Sequence, residues 1–172
     1  KTMTMENKHN TDFSVDRENN TINVKREFMA PKKHVWAAWT EPELLDQWWA
    51  PKPYHIKTKS LNFKRDGMWL YAMISPEDER QWCKAIYKAI DPQQSFSYTD
   101  AFCDENGIAN SDKPNSFWTL VFSENNGTTS VHIALKQDSF ADVEKMIEMG
   151  FKEGFMMALD NLEDLFLSAK NK

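Results

Sequence analysis

The chain has 172 residues, 41% of them hydrophobic, with seven Trp, eleven Phe and a formal net charge of −5 at pH 7. A chain of this length suits one domain that buries about 70% of the surface its unfolded form exposes. The acidic balance, with basic residues scattered among acids along the sequence, argues against a nucleic-acid binder. No apolar run approaches the ~18 residues a membrane span requires. The N-terminal residues lack the apolar core of a signal peptide, so a cytoplasmic protein is expected.

Residues 1–20 are polar and Asn-rich, with Phe13 and Val15 the main apolar side chains. They read as a loose arm with room for one edge-strand segment, ahead of a single domain over 21–170. Thr21 to Phe28 alternates Ile22, Val24, Arg26 and Phe28, the period of a half-buried strand. Pro31 opens a short helix carrying Val35, Trp36 and Trp39, since a proline at the first turn sacrifices only an N–H that has no partner there. Thr40-Glu41-Pro42-Glu43 reads as a capping box for a second short helix with Leu44, Leu45 and Trp48.

Period-two patterning follows. The sequence predicts strands over Tyr54–Phe63, Met68–Ile74, Arg80–Ile90, Ser95–Phe102, Phe117–Ser123 and Thr128–Leu135. Asp66-Gly67, Asp91-Pro92 and Asn126-Gly127 supply turns between them, the last being the strongest hairpin signal in the chain. Connections this short require antiparallel neighbours, hence a meander. The polar loop from Asp104 to Asn115 is long for a hairpin and serves either as a lid or as a solvated connection.

From Asp138 to Phe166 apolar residues recur in steps of three and four: Val143, Met146, Ile147, Phe151, Ala158, Leu159, Leu162, Leu165. That is the stripe of one long helix, roughly 40 Å at ~1.5 Å per residue, with Ser139 and Asp142 as its capping box. The order strand, two short helices, six strands, long helix defines an α+β domain of about seven strands, a curved antiparallel sheet gripping the C-terminal helix.

Several motifs resemble one family. Phe28-x-x-Pro31, Val35-Trp36-x-Ala38, Thr40-x-Pro42-x-Leu44 and Trp48-Trp49-x-Pro51 are similar to the family named for the activator of the heat-shock-protein-90 ATPase. So are Ile90-Asp91-Pro92, Phe96-x-Tyr98-Thr99-Asp100 and Gly154-Phe155-x-x-Ala158-Leu159-x-x-Leu162. That family belongs to the START/birch-pollen-allergen-like (SRPBCC) helix-grip superfamily, and the resemblance covers residues 21 to 167. The chain has Asp66-Gly67-Met68 where the family often pairs glycines, and Gly154-Phe155 where it often has Gly-Trp. The eukaryotic co-chaperone that names the family carries a further N-terminal domain engaging its client; within these 172 residues none is expected beside the helix-grip domain. The resemblance therefore implies the fold more than the activation.

What the resemblance implies for function is a cavity between sheet and long helix, holding a small hydrophobic or aromatic molecule. The lining candidates are Trp48, Trp49, Tyr54, Tyr71, Tyr98, Trp118, Phe151 and Phe155. Trp36, Trp39, Trp48 and Trp49 either plug the core where the short helices meet the sheet or wall a pocket. Gly150 and Gly154 either leave room for a ligand or let the helix approach the sheet. Catalysis is not evident. Weak candidates are Asp100, Tyr98 and His55, with Asp100 read either as a buried general base or as a solvated carboxylate at a strand end. Superfamily analogy leaves open a cyclase- or hydrolase-like enzyme using the same cavity, and family analogy a stand-alone co-chaperone-like interaction domain. No cofactor motif or metal-ligand spacing occurs, so neither a cofactor nor a metal is expected. Cys83 and Cys103 fall nearly opposite each other if the Asp91-Pro92 turn closes a hairpin, and are either a redox-sensitive pair or two buried thiols.

Overall fold

A computed structural model describes residues 11–110 and 115–170; residues 1–10 of the expected arm and 111–114 of the polar loop lie outside the described residues. The strands are β1 (Thr11–Asp16), β2 (Thr21–Phe28), β3 (His55–Leu61), β4 (Met68–Ile74), β5 (Arg80–Asp91), β6 (Ser95–Cys103), β7 (Ser116–Asn125) and β8 (Thr128–Lys136). The helices are α1 (Lys32–Thr40), α2 (Pro42–Trp48), α3 (Phe140–Glu148) and α4 (Phe151–Lys170). All eight strands form one antiparallel sheet in the order β1-β2-β8-β7-β6-β5-β4-β3.

The expected meander is present from β3 to β8, and β2 closes onto β8 with Ile22 opposite Leu135 and Val24 opposite Ile133. The sheet has eight strands rather than seven because the edge segment of the arm pairs fully with β2, Phe13 opposite Val24 and Val15 opposite Ile22. Lys152 of α4 lies over the Phe13 ring at 5.1 Å, which ties that edge to the helix layer.

The long helix is two helices. Ser139 caps the first as expected, its Oγ accepting from the Asp142 N–H at 3.2 Å. The run ends at Met149, and Gly150 takes φ +93°, left-handed backbone that glycine adopts without a Cβ clash. The apolar stripe continues across the break, so periodicity does not reveal it. Gly150 thus ends α3, whereas Gly154 lies within α4, where a Cβ would make an ordinary contact with Pro51, 3.7 Å from its Cγ.

The two short helices form where expected, but without the capping box. Thr40 turns inward and its hydroxyl donates to the Trp36 carbonyl at 2.9 Å, while Glu41 is the N-cap and Pro42 the first residue of α2. Glu124 in the β7–β8 hairpin caps α1 from outside, accepting the Lys32 N–H at 3.1 Å. Asp46 fixes α2 to β3 by accepting from the Thr58 N–H at 3.1 Å and its hydroxyl at 2.6 Å.

Arg26 on β2 is fully buried, an exception among charged residues that requires compensation. Its guanidinium reaches Asp160 at 2.8 Å and Glu163 at 2.7 Å, both on α4, and so bolts the helix across the sheet.

Candidate functional site

The densest feature is an aromatic chamber enclosed by β4, β6, β7, the end of α2 and the first turns of α4. Trp49 joins its rings from one side. Its ring lies 5.2 Å from Trp48, 5.6 Å from Trp69, 5.8 Å from both Trp39 and Trp118, and 6.3 Å from Phe155. Trp118 stacks on Tyr98 at 5.5 Å and meets Phe155 edge-on at 5.7 Å, and Phe155 stacks on Phe151 at 5.3 Å. Edge-to-face and offset pairs of this kind each add roughly 0.5–1.5 kcal/mol beyond burial. Trp49 and Phe151 are half-buried and form the rim; Tyr71, Tyr98, Trp118 and Phe155 are buried behind them.

The sequence alternation explains the gathering. Trp69 and Tyr71 on β4, Phe96 and Tyr98 on β6, and Trp118, Leu120 and Phe122 on β7 each occupy the inward face at two-residue steps. Of the eight expected lining residues, six meet here: Trp49, Tyr71, Tyr98, Trp118, Phe151 and Phe155. Trp48 belongs to the core behind, its indole N–H donating to the Ala38 carbonyl at 2.9 Å. Tyr54 does not join: it immediately precedes β3 and is 44% exposed. Trp69 belongs with the group although it is not among the expected lining residues. Its signal in the sequence is the same-face spacing from Tyr71, on which it stacks at 4.1 Å.

Polar groups are set into this apolar wall. The Trp49 indole N–H donates to the Tyr71 hydroxyl at 3.1 Å, and Cys83 stands directly across from Tyr71 on β5. Asp100, paired with Ser116 across β6 and β7, accepts from the Trp118 indole N–H at 2.8 Å and from the Ser116 N–H at 3.1 Å. The solvated strand-end reading of Asp100 is thus corrected: the residue keeps some exposed surface, but its carboxylate is enclosed. Burial pushes its pKa up to about 6, against the two hydrogen bonds that hold it down. Burial also raises the Tyr71 and Tyr98 hydroxyls well above the ordinary tyrosine value, with the Asp100 charge adding to both shifts. Gln137 continues the polar chain, bridging from Ser116 Oγ to the Met146 sulfur on α3. The indole N–H of Trp39 is buried and finds no acceptor among the described residues.

The catalytic candidates do not converge as a set. Tyr98 and Asp100 share a strand face, but His55 is exposed on edge strand β3, three strands away and thus roughly 14 Å at ~4.8 Å per strand. Among the described residues no three His, Cys, Asp or Glu side chains cluster as metal ligands. The chamber's rings pack directly against one another, with centroids 4.1–6.3 Å apart. Open concavities elsewhere include one of about 390 Å³ beside Thr99, Ser116 and Gln137 and one of about 560 Å³ beside Phe63, Lys64 and Lys88.

The described part of the polar loop does not cover the chamber. It folds onto the opposite face of the sheet. Lys59 Nζ donates to the Glu105 carbonyl at 2.8 Å, and a Cβ on Gly107 would sit 3.3 Å from the Met68 side chain, which points away from Trp69. Cys83 and Cys103 also sit on opposite faces, because Cys83 pairs with Phe102 and Cys103 with Trp82, a one-residue offset. Both thiols are unbridged and buried.

Comparison with known proteins agrees with this architecture. No curated protein matches the sequence. A crystal structure from Mycobacterium smegmatis is 27% identical and superposes with a TM-score of 0.81, covering 90% of this chain and 94% of that one. A solution structure from Arthrobacter aurescens is 25% identical with a TM-score of 0.83, covering 88% of each chain. Another from Staphylococcus epidermidis is 27% identical with a TM-score of 0.81, covering 91% of this chain and 94% of that one. The family model described as Activator of Hsp90 ATPase homolog 1-like protein matches residues 29–166, so the chain belongs to that family.

Proposed function

We propose that this chain is a binding module for a small, flat apolar or aromatic molecule, taken up at the chamber and held without chemical conversion. The observation that carries the reading is the pair of hydrogen bonds set into the aromatic wall, Trp118 to Asp100 and Trp49 to Tyr71. A core built for stability alone gains nothing from an enclosed carboxylate, whereas a ligand site needs a few polar groups to set orientation within an apolar surface. The buried Trp39 N–H, which has no acceptor among the described residues, is a further donor of the same kind. Because the rings pack directly against one another, uptake requires Trp49 and Phe151 at the rim to swing aside, and the break at Gly150 allows the first turn of α4 to move separately from α3. A ligand burying ~200 Å² of apolar surface gains about 5 kcal/mol, before the expense of displacing the rings. The module works as a single domain of the cytoplasm.

The close ring packing favours a second reading, a stand-alone co-chaperone-like domain that acts through its surface. Exposed Met149 and Met157 near the α3–α4 break are adaptable contact residues for such a role.

Native mass spectrometry of the purified protein, followed by titration with neutral 1-naphthol monitored by tryptophan fluorescence, separates the two. Ligand binding predicts a co-purifying apolar molecule or a saturable fluorescence change that Trp49→Ala abolishes. An empty protein whose fluorescence does not respond overturns it. Stimulation of a chaperone ATPase by that empty protein then establishes the second reading, and an unchanged rate removes that one too.

A further inference from the structure

The turn between β3 and β4, residues 62–67, is unusually constrained. Lys64 N–H donates to the Asn62 carbonyl at 3.0 Å and Gly67 N–H to the Lys64 carbonyl at 2.8 Å. Asp66 takes φ +66°, and its N–H reaches across to the Tyr87 carbonyl at 2.8 Å, while Tyr87 N–H returns to the Gly67 carbonyl at 3.0 Å. Phe63 anchors the turn in the core, 4.8 Å from Tyr87 and 5.4 Å from Phe96. Lys64 and Arg65 are therefore displayed from a fixed backbone.

Beside them β5 carries a bulge. Tyr87 pairs with Tyr98 and Ala89 with Ser97, which leaves Lys88 as the extra residue. Bulges bend a strand and re-aim the side chain they insert. Lys64, Arg65 and Lys88, with Phe63, Ala89 and Ile90, line the open concavity of about 560 Å³. None of the three cations has a carboxylate at ion-pair distance among the described residues. A chain of net charge −5 thus concentrates three cations around one concavity, none of them ion-paired among the described residues. Like charges brought together repel, and a concave wall of one sign raises the local concentration of the opposite sign.

We propose that this concavity is a binding site for a small phosphate-bearing molecule. Its phosphate group is held by Lys64, Arg65 and Lys88, and its apolar portion rests on Phe63 and Ile90. The planar guanidinium of Arg65 suits bidentate contact with phosphate oxygens, and the two lysines act as mobile point charges around it. The concavity is of small-molecule size. The site is separate from the aromatic chamber and does not depend on that chamber's reading.

Titration of the isotope-labelled protein with sodium pyrophosphate, at ionic strength matched with chloride, tests the proposal by amide NMR. The expected result is saturable shifts confined to residues 63–67 and 87–90. Lys88→Ala and Arg65→Ala should each weaken the affinity about fivefold or more, while Lys57→Ala leaves it unchanged. All three positions are exposed, so the variants keep the fold. Absence of saturation, or shifts spread evenly over the surface lysines, overturns the proposal. Binding of polyglutamate where pyrophosphate fails to bind also overturns it, and assigns the surface to an acidic protein partner.

Discussion

The Trp118 indole N–H donates to Asp100 Oδ2 at 2.8 Å, which makes a tryptophan of the chamber wall the partner of an enclosed carboxylate. Asp100 has its pKa raised from 3.8 to about 6 in the folded protein. The folded state therefore holds this proton more tightly than the unfolded chain does. Its contribution to stability is complete below about pH 4 and falls as pH rises through 6. A shift of this size corresponds to about 3 kcal/mol. Asp100→Asn removes the titration, so the variant's stability relative to wild type should rise by about 2–3 kcal/mol between pH 4 and 7. Urea denaturation of both proteins at several pH values measures the difference; a pH-independent difference would mean that Asp100 ionises normally.

The two glycines of the C-terminal region should respond oppositely to alanine. Gly150 has φ +93°, and a methyl group added there would meet nothing within 4 Å, so the cost of Gly150→Ala is conformational alone, about 1–2 kcal/mol. Gly154 is helical and its added methyl would make an ordinary contact with Pro51, so Gly154→Ala should stabilise by about 0.5–1 kcal/mol. Thermal unfolding of the pair checks the sign of each.

Gly67 is constrained by space. A Cβ there would stand 2.1 Å from the Asn62 carbonyl oxygen and 2.9 Å from that of Lys64, both rigid backbone. Gly67→Ala should cost about 2–4 kcal/mol and loosen the β3–β4 turn, seen as faster amide exchange at Asp66 and Tyr87.

Glu163→Ala removes one carboxylate from a fully buried guanidinium and should destabilise by about 3 kcal/mol. The same change at Asp160, which is 43% exposed, should cost less because water replaces part of what is lost. Equal losses from the two variants in denaturant titrations would show that burial does not set the difference.

Cys83 and Cys103 should remain unbridged under mild oxidation of the folded protein, since the one-residue offset puts their side chains on opposite faces of the sheet. Thiol counting after denaturation should return both cysteines; loss of both within a monomer would show that the register slips.

Local spacing alone determined much of this protein. Strand β2 runs from Thr21 to Phe28 as its alternation predicts, and the Asn126-Gly127 turn adopts φ +55° and +80° as a two-residue hairpin requires. Both are relations between residues two to four apart, which a linear pattern records. The motifs around Trp36, Trp48 and Tyr98 likewise carried the family. Tertiary structure decided what local spacing leaves degenerate. The apolar stripe from Val143 to Leu165 is the same for one helix or two, and the left-handed turn at Gly150 made it two. Asp100 reads alike as solvated or enclosed until Trp118 and Ser116, sixteen to eighteen residues on, close over it. Lys64, Arg65 and Lys88 are scattered basic residues along the chain and become one concavity only through the strand pairing and the bulge. Charge, burial and hydrogen bonding at a site depend on contacts between residues distant in sequence, and those contacts exist only once the sheet has closed.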